Sequence, residues 1–323
     1  MSNVELTANQ SIVRSYGWAP ASSANVGVGF DLLGFSVDGW ADEVTVSAVE
    51  GQSGVHSIQL TGKDANALPT DPRRNTAGIA ANAYLEGTGL ELSCELSIHK
   101  GIPLASGLGG SAASAVAAVI ALNALNPNPL SPEDLIPYAL AGEAFVSGAA
   151  HPDNVAPSLL GGLTICLSGG SLRSLPQPTG ISAVLAHPEL RVETVAARAA
   201  LSDQLRLNLH VQQSAQLAGF IIACYTNDLD LLRTHCQDLV VGPQRAHLIQ
   251  GFESVQAAAL AAGAIACSIS GAGPSVYALC LDTHAQAVQQ SIHEGFHRAN
   301  VKADVRICPF GGKGAFGQLL PSK

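Results

Sequence analysis

The chain has 323 residues, of which 47% are hydrophobic and only 13% charged, so it carries enough apolar material for one large or two ordinary cores and intrinsic disorder is excluded. The formal charge is −9 and no basic run is denser than Arg73-Arg74, which argues against a nucleic-acid surface. An anionic ligand would therefore have to be held by a few placed groups and backbone N–H, not by a general positive field.

From the N-terminus, Met1–Gln10 offers no apolar leader, so no signal peptide is predicted. Residues 12–18 and 41–49 read as strands, the second with Val44 and Val46 alternating with Thr45 and Ser47. Between them, Ala19–Gly34 breaks the strand with small polar residues and sets Asn25 and Asp31 on either side of Gly27 and Gly29. By itself this segment reads either as a loop with Asx turns or as a polar pocket, in which Asn donates and accepts and Asp binds an ammonium. Arg73-Arg74-Asn75 precedes a small-residue helix over 76–87. Cys94, Leu96 and Ile98 alternate with Glu95, Ser97 and His99, which predicts a strand over 92–99 with one buried face. A glycine-rich loop over 101–110 leads into a helix over 111–125. The longest apolar stretch, Ala112–Leu122, is shorter than the ~20 residues that span a bilayer.

Ser131-Pro132-Glu133-Asp134 is a helix start, with a Ser cap, Pro in the first turn and acids at the positive dipole end. That helix carries Leu135, Leu140 and Glu143. An acid among Ala139, Leu140, Ala144 and Phe145 either points to solvent or binds a cation. His151-Pro152-Asp153-Asn154 follows, with His151 reading as a loop histidine. Ser168–Gly180, rich in Gly and Pro, divides the chain into domains at 1–170 and 171–323. The second half alternates a strand at Ile181–Ala186, helices near 202–226, 228–239 and 246–262, strands at Ala264–Ile269 and 276–281, a helix at 283–298 and a strand at 303–308. Seven cysteines without a Cys-x-x-Cys pair, mostly in apolar runs, read as buried thiols of a cytoplasmic protein; a zinc site is not expected.

The segment 101–114 carries the strongest chemical signal. Gly107, Gly109 and Gly110 let backbone N–H groups converge on a ligand, and the helix that starts near Ser111 adds its positive end, which together suit a polyphosphate. The bland alternative is a tight strand-to-helix turn. No Gly-x-x-x-x-Gly-Lys-[Ser/Thr] occurs, so this is not a Walker A loop. Gly107-x-Gly109-x-x-Ala112 matches a dinucleotide fingerprint formally, but Asn126-Pro127-Asn128-Pro129 and a further helix follow where that fold needs a strand. A second glycine-rich turn, Ser270-Gly271-Ala272-Gly273-Pro274-Ser275, lies between two apolar strands and is either structural or part of the site.

In this order the segments resemble the GHMP kinase superfamily, and within it the homoserine kinases, over residues 15–310. The central motif of the superfamily, P-x-x-x-G-L-G-S-S-A, is similar to Pro103-Leu104-Ala105-Ser106-Gly107-Leu108-Gly109-Gly110-Ser111-Ala112, with Gly110 in place of the commoner first Ser. The more selective likeness is Ala24–Asp31 combined with Glu143 and His151–Asn154. The resemblance implies an α+β chain with the two-domain GHMP kinase fold: a ribosomal protein S5 domain 2-like N-terminal domain that binds ATP and a ferredoxin-like C-terminal domain that completes the cleft. It implies ATP-dependent phosphorylation of L-homoserine to O-phospho-L-homoserine, a step towards threonine. Residues 103–112 would cradle the triphosphate, chiefly through the N–H groups of 107–111, and Asn75 would contact the adenine. Ser111 and Glu143 would hold Mg²⁺. Asn25, Asp31, Asn154, Arg198 and Arg245 would surround homoserine, with Asp31 on its ammonium, the arginines on its carboxylate and Asn154 on its hydroxyl. Asn154 stands where some relatives have an aspartate base, so either the phosphate accepts the proton or the adjacent Asp153 does. A homodimer, with no nucleic-acid or membrane partner, completes the expectation. Two rivals remain: a kinase of another small alcohol, and a non-catalytic ligand-binding relative.

Overall fold

The computed structural model describes residues 13–147 and 152–321. Six strands form within its first half: Arg14–Ala24 (β1), Leu33–Ala48 (β2), Gly54–Gly62 (β3), Ser93–Lys100 (β4), Leu163–Cys166 (β5) and Leu172–Leu175 (β6). Four helices accompany them: Thr76–Thr88 (α1), Gly110–Leu125 (α2), Pro132–Ser147 (α3) and Pro152–Leu160 (α4). The expected break at Ala19 does not occur. β1 alternates in burial to Trp18 and is then buried throughout to Ala24, so its small Ala and Ser residues fill a space covered on both faces. Its ladder to β2 shifts register between Pro20 and Ala21, where a proline costs no sheet bond. The remainder of the expected interruption is a turn over 25–32 before β2.

The second half holds Ile181–Pro188 (β7), Ala264–Ile269 (β8), Val276–Leu281 (β9) and Ala303–Pro309 (β10). They pair antiparallel in the order β10-β7-β9-β8. With Phe252–Ala261 (α9) and Ala285–Arg298 (α10) as the crossovers, this is a ferredoxin-like β-α-β-β-α-β unit. Between β7 and β8 an insertion adds Thr194–Ala199 (α5), Leu207–Thr226 (α6), Leu229–Thr234 (α7) and Val241–Arg245 (α8). The helix expected over 246–262 starts late: α8 ends just before it at Arg245, a short turn occupies Ala246–Leu248, and α9 runs from Phe252 to Ala261.

The chain then returns to the first layer. Phe316–Leu320 (β11) pairs with β1, giving a sheet ordered β11-β1-β2-β4-β3, with β5 on β2 and β6 on β5. By sheet membership, 172–175 and 316–320, which lie beyond the division expected at 170/171, stand with the first sheet. One apolar cluster runs from the α1–α4 side of the first sheet through to Leu185, Tyr277 and Leu279 of the second. Phe35 marks the join, edge-on to Tyr277 at 5.7 Å and to Phe310 at 5.1 Å. A second cluster lies under α9 and α10. Among the described residues no helix is long and apolar enough to cross a membrane.

Candidate active site

A cavity of about 340 Å³ opens where the two layers meet, walled by 103–112, the turn after β1, the start of α4, α5, Arg245 and 271–273. Its floor is the 101–109 loop between β4 and α2. Gly107 and Gly109 both adopt positive φ, at 75° and 64°. A Cβ on Gly107 would lie 2.5 Å from the Ser270 carbonyl oxygen, and one on Gly109 would lie 2.1 Å from Ser22 Oγ. Only glycine fits either place. The two glycine-rich segments thus pack backbone to backbone: Ser270 Oγ donates to the Gly107 carbonyl at 2.8 Å and Ser275 N–H to that of Ser106 at 3.1 Å. The turn 270–275 is part of the site wall and not a bystander.

The first turn of α2 lines this cavity, so the N–H groups that a helix N-terminus leaves unpaired are at hand there, an arrangement suited to phosphate oxygens. Ser111 Oγ is buried in that turn and makes no hydrogen bond of good geometry among the described residues. It faces the Glu143 carboxyl of α3, whose pKa burial pushes up and the Ser111 hydroxyl draws back down. Glu143 is only 9% exposed, so the solvent-facing reading of this acid is overturned: α3 packs this face against the core. Two oxygen donors from two helices suit a Mg²⁺ ion, which usually takes one or two carboxylates and completes its shell with phosphates and water. Among the described residues no group of three His, Cys, Asp or Glu side chains could hold a metal without such help.

Helix α4 was not expected from the sequence, and it presents Asp153 and Asn154. Pro152 occupies its first position, and Asp153 lies in its first turn. Asp153 is 2% exposed, and burial first, then the charge of Asp31, pushes its pKa up to about 7. Its Oδ1 has no hydrogen-bond partner among the described residues. Asn154 Oδ1 accepts from Ser22 Oγ at 2.9 Å. His151 lies outside the described residues.

On the opposite wall, the expected residues line the cavity and already have partners within the protein. The Asn25 amide is half engaged: Nδ2 donates one N–H to the Gly271 carbonyl at 2.9 Å and Oδ1 accepts from Asp31 N–H at 3.1 Å. It therefore holds a turn in which Asn25, Val26 and Asp31 all take positive φ. The Asn75 side chain caps α1, accepting from Ala77 N–H at 3.0 Å and donating to Pro69 carbonyl oxygen at 2.9 Å, so it lines the cavity as wall. Asp31 and Arg198, assigned to separate charges of the substrate, pair with each other through two bonds of 2.7 and 3.0 Å. Arg245, 3% exposed, donates to the Ala197 and Gly271 carbonyls at 2.9 and 3.1 Å. Both guanidiniums lie over the Phe30 ring, at 5.0 and 5.3 Å from its centroid. Phe30 escaped the sequence reading of single residues.

The buried Asp42 and Lys100 were also missed, although a signal existed. Lys100 continues the inward phase of Cys94, Leu96 and Ile98, and Asp42 that of Val44 and Val46. A charge at an inward position calls for a partner.

The chain matches the families "GHMP kinases N terminal domain" over residues 75–162 and "GHMP kinases C terminal" over residues 220–298. It is 43% identical over 299 residues to a homoserine kinase of Xylella fastidiosa (strain M12), covering 92% of each chain. It is 45% identical over 261 residues to one of Xanthomonas campestris pv. campestris (strain B100), covering 81% of this chain and 80% of the other. The crystal structure of homoserine kinase from Cytophaga hutchinsonii superposes with a TM-score of 0.90 at 39% identity, over 98% of this chain and 100% of that one.

Proposed function

The chain belongs to the GHMP kinases and, among them, to the homoserine kinases; from this premise we propose that it transfers the γ-phosphoryl group of ATP to the side-chain hydroxyl of L-homoserine, giving O-phospho-L-homoserine and ADP on the way to threonine. The observation that carries this reading is one cavity with a helix N-terminus and glycine cradle at one end and the Asp31–Arg198 pair with Arg245 at the other. The first end suits a polyphosphate and the second a zwitterion. Homoserine would exchange one ion pair for two, its ammonium facing Asp31 and its carboxylate facing Arg198. Arg245 uses two of its five donors on carbonyls, which leaves others for the same carboxylate.

Phosphoryl transfer asks for positioning and charge stabilisation more than for covalent chemistry. The N–H groups of 107–111 would hold the phosphates, and 103–106 would shape the wall around them. Ser111 and Glu143 would hold Mg²⁺, which when bound supplies neutralisation of the phosphate charge. Asn154, fixed by Ser22, would orient the substrate hydroxyl. Asp153 is the group beside it that can accept the hydroxyl proton near neutrality.

The test is phosphorus NMR of the product made from ATP, Mg²⁺ and L-homoserine, with L-serine in parallel. Serine is one methylene shorter, and a ~1 Å misplacement costs about 100-fold. A phosphomonoester should form from homoserine at least that much faster; equal rates on serine would sink the assignment.

The carboxylate site has its own test. Lysine cannot reproduce the two-pronged geometry of a guanidinium. Arg198→Lys or Arg245→Lys should raise the KM for homoserine, lowering kcat/KM ~10- to 150-fold as one charge-assisted contact is lost, with the KM for ATP unchanged. Arg233, a half-exposed residue at 3.7 Å from Asp230, is the control, and its Lys variant should behave as wild type. A wild-type homoserine KM in both site variants would refute these roles.

A cytosolic homodimer completes the proposal. All seven cysteines are buried and free, which suits a reducing compartment. On α6, Leu207, Val211, Ile222 and Tyr225 are exposed at helical spacing, and the helix bears no Asp, Glu, Lys or Arg. Large side chains at both ends and Ala215 and Ala218 between them let a second copy pack antiparallel on the same stripe. A monomeric mass by light scattering would contradict it.

A further inference from the structure

At the phosphate end of the cavity, with Lys100 and Ser114 in the lining, stands a charge pair to which no role has been assigned above. Asp42 and Lys100 face each other across the β2–β4 ladder and are 0% and 5% exposed. Lys100 Nζ spends all three of its N–H groups: on Asp42 Oδ2, on Ser114 Oγ at 2.7 Å and on the Gly110 carbonyl at 2.8 Å. Ser114 Oγ in turn donates to Asp42 Oδ2 at 2.6 Å. Asp42 Oδ1 accepts from the N–H groups of Gly101 and Ile102 at 3.1 and 3.2 Å. Every N–H and O–H donor of the network is therefore used and each Asp42 oxygen accepts two bonds, the condition under which a buried ion pair rigidifies its surroundings instead of destabilising them.

The partners of this network are the two ends of the nucleotide loop. Gly101 and Ile102 are its first residues after β4, and Gly110 is the first residue of α2. We infer that Asp42, Lys100 and Ser114 form a clamp that sets the span of the 101–110 loop, and that Asp42 and Lys100 are positioning residues for the triphosphate. With its three N–H groups committed, Lys100 acts on the ligand through the loop. By holding the first carbonyl of α2 it fixes the direction in which the N–H groups of Gly110, Ser111 and Ala112 point. Gly110 belongs to the same device. A Cβ there would stand 3.1 Å from Ile102 Cγ2 and 3.7 Å from Lys100 Nζ, tightening onto the two residues that the clamp fixes.

The inference rests on the kinase reading for its purpose, but its test does not need the alcohol. Single substitutions at Asp42 or Lys100 would strand a buried charge and endanger folding. The informative protein is the double variant Asp42→Asn/Lys100→Met, which removes both charges and keeps the shape. Calorimetric binding of MgADP should weaken ~10- to 100-fold in it, the scale on which small misplacements of bound groups act, while the KM for homoserine stays within about twofold. Ser114→Ala, which keeps both charges, should weaken MgADP binding by a smaller factor, ~3- to 10-fold, and decides the matter if the double variant does not fold. Wild-type MgADP affinity in the folded double variant or in Ser114→Ala would overturn the clamp. So would an equal rise in the homoserine KM. If MgADP binding responds as expected but wild-type protein does not turn over homoserine, the substrate assignment falls and the clamp stands.

Discussion

Replacing Glu143 by Gln should lower kcat/KM by ~10³-fold and raise the Mg²⁺ concentration needed for half-maximal rate, because a metal that neutralises transferring phosphate is worth several kcal/mol. Gln keeps the length and one oxygen but loses the charge. The side chain is 9% exposed on α3, with the Ser111 hydroxyl of α2 as its neighbour. The variant should not lose activity by unfolding. Burial raises the Glu143 pKa, so in the metal-free protein the ionised carboxylate costs stability once the pH exceeds its unfolded pKa, and Gln removes that cost. The thermal midpoint of metal-free Glu143→Gln at pH 8 is thus expected to equal or exceed that of the wild type. Unchanged activity with unchanged Mg²⁺ dependence would make Glu143 a structural acid. A fall in the midpoint together with activity would point to packing.

Local patterns carried much of the fold. Ser131-Pro132 marked the start of α3, the alternation of Cys94, Leu96 and Ile98 marked β4, and the second domain's strands and its last helix fell within a few residues of their expected bounds. What escaped was decided by distant parts of the chain. The stretch Ala19–Ala24 has small residues with little preference for a strand, yet its pairing with β2 makes it one. β3 lies at the sheet edge with a register shift between Val55 and Ser57, which blurs its alternation. β11 finds its partner about 300 residues earlier, so no local pattern could announce the pairing. The site divides in the same way. The glycines and helix start of 107–111 can be read locally because an anion cradle is built from consecutive residues. Which acids and bases face one another cannot. Asp31 meets Arg198 across 167 positions, and this contact converts two apparent ligand groups into a pre-formed pair. Asn25 and Asn75 illustrate a further limit: an amide suited to a ligand is equally suited to a turn or a cap, and here each amide also bonds the backbone.

Asp153→Asn should cost at least ~100-fold in kcat, the lower end of what general acid–base groups contribute, and should remove the acid limb of the pH profile. The group has the attributes that a base requires. It lines the cavity next to Asn154, its Oδ1 lacks a partner among the described residues, and its pKa is pushed up to about 7. Only the carboxylate can take a proton, so in the wild type kcat/KM for homoserine at saturating MgATP should rise with pH through a limb at or below about 7. The direction of the offset follows from charge: a cation bound near Glu143 favours the ionised form and draws the limb down. A second readout is independent of turnover. In the free protein, Asp153 binds its proton more tightly folded than unfolded. It therefore contributes stability that is fully present below the unfolded pKa of ~3.9 and is lost as pH rises through about 7. The Asn variant lacks this dependence, so its thermal midpoint should gain on that of the wild type between pH 5 and pH 8. If the stability arm responds as expected while kcat and its pH profile do not change, Asp153 is a buried acid without a catalytic role, and the hydroxyl proton passes to the transferred phosphate. If neither arm responds, the carboxyl is ionised in the free protein already and the raised pKa is wrong. Loss of kcat together with the limb leaves Asp153 as the base, with Asn154, held by Ser22 at 2.9 Å, fixing the hydroxyl that it deprotonates.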